Sequence, residues 1–224
     1  VIGSNQAQPK KVILAVFAHP DDEGTIGPAL AKYASAGTTV YLAYTSAGGF
    51  GVTAHAKIPA GDSLTTVRIE EVKCAAQNLG AEPPVFMGLT DQLGVPEGFS
   101  TLYNSLNTIK KKVIELFTNL KPDVVIPWGP SGWTGHPDHR LVGSIVTEVF
   151  ALKVWGKPAN LFYPELVSGS LSPRSILTTT DSSYLPVRIS VDQADYDKAT
   201  VSQNCHRSQY TADQASSLRK GTWY

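Results

Sequence analysis

Lys11-Val12-Ile13-Leu14-Ala15-Val16-Phe17-Ala18-His19-Pro20-Asp21-Asp22-Glu23 is the stretch that decides the fold. From Val12 onward it is an unbroken apolar run of strand length, the pattern of a strand buried on both faces of a parallel sheet. Pro20 then suits the first turn of a helix, and Asp21 and Asp22 suit its electropositive N-terminal end. The same sequence of events recurs later. Pro122-Asp123-Val124-Val125-Ile126-Pro127 reads as a second buried strand, and Gly135-His136-Pro137-Asp138-His139 opens the helix that follows. In parallel α/β sheets ligands gather outside the carboxyl ends of the strands. Both histidine- and carboxylate-bearing segments are therefore expected at one edge.

Working outward, apolar strand-like runs alternate with helical periodicity, as in a βαβ architecture. Strand one covers 11–18, and a helix follows from Asp22 to Ala36 with Gly37 as its stop. Strand two is 38–44, and a long Gly-bearing loop spans 46–62. Loops of that length in a compact domain tend to carry function. Helices are expected over 63–79, 101–119, 137–152 and 193–206, and short strands over 85–87, 123–127, 160–163 and 186–190. The expected fold is α/β: a Rossmann-like three-layer sandwich around a mostly parallel sheet, with the active site at the carboxyl ends of the strands. One domain over 1–224 accounts for the length, with 1–10 as a flexible lead.

Composition excludes several classes. Lys plus Arg and Asp plus Glu number 19 each, so no net charge points to nucleic acid or an anionic membrane surface. No apolar run approaches the length of a membrane span. The first strand leads into His-Pro-Asp-Asp rather than a Gly-x-Gly-x-x-Gly turn, and no Walker loop or Gly-x-Ser-x-Gly elbow occurs. Cys74 and Cys205 allow one disulfide at most, and no Cys-x-x-Cys pair suggests structural zinc. The polar lead and low charged content lean towards a secreted protein, with the cytoplasm left open. Oligomeric state is left open too.

His19 and Asp22 stand three apart at a helix start, so their side chains can converge, and His136 and His139 repeat the spacing. Taken singly, each segment fits a helix cap as well as a metal site. Together, two such pairs supply three ligands to a divalent ion and leave a position open, the pattern of catalytic zinc. Fe²⁺ and other divalent ions suit the same mixed set. Asp21, beside a ligand but not needed as one, is placed to take a proton from water. The histidine left outside the metal shell is free to stabilise an oxyanion, with Asp138 against its other nitrogen favouring the imidazolium. Spacing alone leaves open whether His136 or His139 takes the metal.

At these residues the chain resembles the LmbE-like (PIG-L-type) metal-dependent de-N-acetylases. Arg68-x-x-Glu71-x-x-x-Ala75 with Leu79-Gly80, Gly88-Leu89-x-Asp91, and His206-Arg207-Ser208-Gln209 extend the resemblance over roughly 11–209. It implies His19, Asp22 and His139 as metal ligands with Zn²⁺ as cofactor, Asp21 as general base, and His136 with Asp138 at the oxyanion. It also implies Arg68 beside the catalytic aspartate and His206 near the site. The expected activity is removal of an acetyl group from an N-acetylated amino sugar or glycoconjugate. An amidase acting on a larger amide and a non-catalytic carbohydrate-binding relative are the alternatives. The expected partner is a small-molecule N-acetylated sugar or glycoconjugate, with no nucleic acid and no membrane span. Where relatives carry Thr-x-Gly-Glu-x-Gly, this chain has Thr45-Ser46-Ala47-Gly48-Gly49-Phe50-Gly51, with no acid. Phe50 and Trp133 are candidates to stack on a sugar face.

Overall fold

A computed structural model describes residues 10–156, 159–170 and 177–215. The expected lead lies outside them except for Lys10. Five strands form one sheet in the order β3-β2-β1-β4-β5, and every pairing is parallel. They are β1 (Val12–Phe17), β2 (Thr39–Ser46), β3 (Val85–Leu89), β4 (Val124–Pro127) and β5 (Asn160–Leu161). The helices are α1 (Gly27–Ser35), α2 (Asp62–Leu79), α3 (Phe99–Leu120), α4 (Gly132–Gly135), α5 (Pro137–Ala151), α6 (Gln193–Gln203) and α7 (Ala212–Ala215).

The unbroken apolar run of β1 is explained by its central place between β2 and β4. Leu14 and Val16 enter one core with Ile109, Val113 and Phe117 of α3 and Val142 and Val146 of α5. Ile13, Ala15 and Phe17 enter the other, with Leu30 of α1, Val72, Ala76 and Leu79 of α2, and Ala199 of α6. A strand flanked by two helical layers leaves neither face to water, so the polar alternation of a half-exposed strand disappears. From β1 the chain winds to β2 and β3 on one side, then returns to β4 and β5 on the other. The carboxyl ends of β1 and β4, adjacent across that reversal, form the crevice where such folds bind ligands.

Three expected elements differ. The helix expected over 22–36 starts as a 3₁₀ turn (Asp22–Ile26) and restarts as α1 with Pro28 in its first turn. The proline ring and missing N–H cannot continue a preceding helical turn. No strand of the sheet forms over 186–190, and 160–163 shrinks to the two residues of β5.

Cys74 of α2 and Cys205, just past α6, form a disulfide across a sequence separation of 131. Closing so long a loop restricts the unfolded chain by about 4–5 kcal/mol in the chain-entropy description. Reduction is therefore expected to lower the urea midpoint of the oxidised protein clearly. Equal midpoints, with both thiols shown to be free, would contradict this.

Candidate active site

The first motif turns sharply after β1. Asp21 takes a left-handed backbone (φ 95°, ψ −18°), a conformation rare for a residue with a side chain. Its N–H donates to Glu23 Oε2 at 3.0 Å. Glu23 is fully buried and also accepts the Tyr44 hydroxyl at 2.8 Å, while its other oxygen meets buried His206 Nε2 at 2.5 Å. Burial opposes charge on Glu23, but the His206 imidazolium and the Tyr44 bond hold its carboxyl below the ordinary value. The strained turn thus sits on a buried ion pair.

Asp22 splits its carboxylate between scaffold and site. Oδ2 accepts the N–H groups of Ala18 and His19, both at 3.0 Å, and Trp128 Nε1–H at 3.2 Å. Oδ1 is left facing His139 Nε2 at 3.3 Å. Against the opposing effect of burial, His139 and His19 keep Asp22 ionised far below its ordinary value. Neither Asp21 nor Asp22 caps the following turn, so the capping interpretation fails for this motif.

Arg68 of α2 is buried, and its Nη2 donates to Asp21 Oδ1 at 2.9 Å. It also bonds the carbonyls of Pro20 and Gly48. Burial raises the Asp21 carboxyl, with Arg68 acting in the opposite direction. The glycines of the 46–62 loop make room for this guanidinium: a Cβ at Gly48, where φ is 70°, would lie 2.1 Å from Arg68 Nη1. Asp91 anchors the same loop by accepting the Ser46 hydroxyl and the Phe50 N–H, the latter at 2.7 Å.

The second motif closes the other side. His139 Nδ1–H donates to Gly132 O at 3.0 Å, so in the neutral ring the Nε2 lone pair points towards Asp22. Its ring stacks on Trp128 with centroids 4.5 Å apart. His136 differs: its Nδ1 accepts the Asp138 N–H at 3.2 Å and caps α5, so Nε2 carries the proton of the neutral ring. Burial, with His19 and His139 nearby, holds His136 below its ordinary pKa. The expected contact between the Asp138 carboxylate and His136 is corrected here. Asp138 Oδ2 meets His19 Nε2 at 3.1 Å and the Gln92 N–H at 2.9 Å. As the second residue of α5, Asp138 bonds His136 through its backbone N–H, while its carboxylate, within 4.8 Å of a His136 ring nitrogen, acts on that ring by charge alone.

Two groups of metal-capable atoms result, each within 4.8 Å of one another: His19, Asp22 and His139, and His19, His136 and Asp138. They face a cavity of about 450 Å³ whose wall includes Phe50, Trp133, Gln92, Gln209 and Tyr210. Arg68 and His206, expected near the catalytic aspartate, are there; His206 acts through Glu23 and does not line the cavity. The sequence reading missed Glu23, Trp128, Gln92 and Tyr210. Only Glu23, inside the first motif, carried a local signal.

The PIG-L sequence pattern, described as GlcNAc-PI de-N-acetylase, matches residues 14–150. A 1D-myo-inositol 2-acetamido-2-deoxy-alpha-D-glucopyranoside deacetylase of Mycobacteroides abscessus is 29% identical over 175 residues, covering 71% of this chain and 62% of that protein. Its counterpart in Rhodococcus erythropolis is 31% identical over 190 residues, covering 78% and 63%. This chain thus spans about three-fifths of the length of these curated relatives. The N,N'-diacetylchitobiose deacetylase from Pyrococcus horikoshii superposes with a TM-score of 0.66 at 19% identity, covering 91% of this chain and 72% of that one. At that identity the superposition speaks for the fold, whereas the sequence match reaches across both motifs and their strands: the chain belongs to the PIG-L family.

Proposed function

We propose that this protein is a metal-dependent N-deacetylase that releases acetate from an N-acetylated amino sugar or glycoconjugate. The observation that carries the reading is the convergence of a ring nitrogen of His19, a carboxylate oxygen of Asp22 and a ring nitrogen of His139 beside Asp21, a half-buried carboxylate outside that set. The donor set fits a divalent ion, and Zn²⁺ is the ion proposed. The hydrogen bonds to the far ring nitrogens support His139 over His136 as ligand. Gly132 O fixes the His139 tautomer with Nε2 unprotonated, whereas the Asp138 N–H leaves the proton on His136 Nε2. A bound divalent ion supplies a lowered water pKa and polarisation of the amide carbonyl.

The chain's own groups do the rest. Asp21 accepts a proton from the water whose oxygen bonds to the amide carbon. His136 Nε2–H donates to the oxygen that becomes negative as the tetrahedral adduct forms. Asp21, now a carboxylic acid, returns the proton to the nitrogen as the C–N bond breaks, giving a free amine and acetic acid, which ionises to acetate. Arg68 holds Asp21 in place and favours its ionised form before the proton arrives. Phe50 and Trp133 on the cavity wall support an extended ring-bearing substrate such as a sugar. The Cys74–Cys205 disulfide supports an oxidising compartment, hence a secreted protein.

The test is amine release from N-acetylglucosamine, N,N'-diacetylchitobiose and an N-acetylglucosaminyl-inositol, beside non-sugar acetamides and longer amides. Release from the acetylated sugars is expected. No release from any of them, with turnover of the other amides, would replace the sugar reading by the amidase one.

A further inference from the structure

The stretch from Cys205 to Tyr210, after α6, reaches the cavity wall at Gln209 and Tyr210 and is tied down almost residue by residue. Cys205 is disulfide-bonded to α2, and His206 pairs with Glu23. Ser208 gives its N–H and hydroxyl to Glu71 of α2 at 2.7 and 2.6 Å. Gln209 Nε2–H donates to Gly51 O at 2.9 Å. The Tyr210 N–H returns to His206 O at 2.9 Å, closing one turn. The result aims the Tyr210 hydroxyl at Asp21 Oδ2, at 3.0 Å.

Resting on the deacetylase reading above, we infer that Tyr210 is a positioning residue for Asp21, holding the carboxylate oxygen that Arg68 leaves free in the direction needed for proton transfer. Arg68 takes Oδ1, so Oδ2 is the oxygen through which Asp21 works. A carboxylate oxygen offers two lone-pair directions. The phenol occupies one, stopping rotation about the Cβ–Cγ bond and presenting the other to the water. Burial and the Asp21 charge push the phenol above its ordinary pKa, so it remains a donor throughout the working range. Tyr210 and Asp21 both line the cavity, so the contact faces the space open to water and substrate.

Tyr210→Phe removes the hydroxyl and keeps the ring. The loss of one hydrogen bond to a charged group predicts a kcat roughly ten- to a hundred-fold lower. KM for the best acetylated sugar, bound zinc and Tm are expected to stay near wild type. Unchanged kcat, or a raised KM with unchanged kcat, would overturn the assignment. A readout independent of turnover is the phenolic ¹³C NMR signal of zinc-loaded protein labelled at tyrosine Cζ, with the Tyr210 resonance identified by its loss in Tyr210→Phe. Asp21→Asn is expected to move that resonance, because donation to a neutral amide is weaker than donation to a carboxylate. A resonance that does not move would overturn the contact itself. A wild-type protein that hydrolyses no amide removes the deacetylase reading and the positioning role with it. Active wild type with equally active Tyr210→Phe removes the positioning role alone.

Discussion

Asp21→Asn is expected to lower kcat by between about a hundred-fold and ten-thousand-fold, the range spanned by loss of a general base. The amide matches the carboxylate in shape and keeps an oxygen to accept from Arg68 or Tyr210, but it cannot take the water proton or return it to the leaving amine. The Asp21 carboxylate bonds Arg68 and Tyr210 and stands outside the proposed ligand set, so bound zinc should stay at one per chain. Folding is expected to suffer modestly. Arg68 loses its charged partner while keeping its bonds to the Pro20 and Gly48 carbonyls, which limits the cost of a buried cation. Steady-state kinetics with metal analysis on the same preparation checks both halves. Turnover near wild type would remove Asp21 as the base, and lost zinc would place it among the ligands.

His139→Ala is expected to abolish stoichiometric zinc. Groups that merely orient a ligand change metal affinity about 10- to 100-fold, and deleting a direct ligand should exceed that. The informative comparison is His136→Ala, which should keep zinc and lose turnover, because its Nδ1 is already engaged by the Asp138 N–H and its Nε2 serves as a donor. His139 also stacks on Trp128, so circular dichroism of both variants shows whether metal loss is local or follows from unfolding. Unchanged one-to-one zinc in His139→Ala, measured by elemental analysis after dialysis, would sink the ligand assignment. Zinc lost from His136→Ala but kept in His139→Ala would exchange the roles of the two histidines.

Much of this site was legible because its chemistry is packed into two short segments. A three-residue spacing at the start of a helix is a local geometric statement, and β1 and β4 declare themselves by apolar runs that only a doubly covered strand tolerates. Arg68 and His206 were legible through resemblance to a family and not through their own surroundings. The hydrogen bond expected from the Asp138 carboxylate to His136 goes to His19 instead, because proximity in sequence says that two residues are near, not which atoms meet. Backbone direction at the start of α5 turns the Asp138 N–H towards His136 and its carboxylate towards His19. The strand expected over 186–190 failed for a related reason. An apolar run supplies only half of a strand; whether it pairs is decided by tertiary packing, and 186–190 does not join the sheet.

By itself, the sequence determined the layered fold, the edge of the sheet where chemistry sits, and the kind of residues brought there. Those properties follow from periodicity and local spacing. Only the tertiary structure decided which histidine keeps a free lone pair, what supports the left-handed turn at Asp21, and that Tyr210, 189 residues further along, closes on its carboxylate. Hydrogen bonds have direction and reach of about 3 Å. Across such separations in sequence, that direction is set by how α2, α5 and the stretch after α6 pack around the carboxyl ends of β1 and β4.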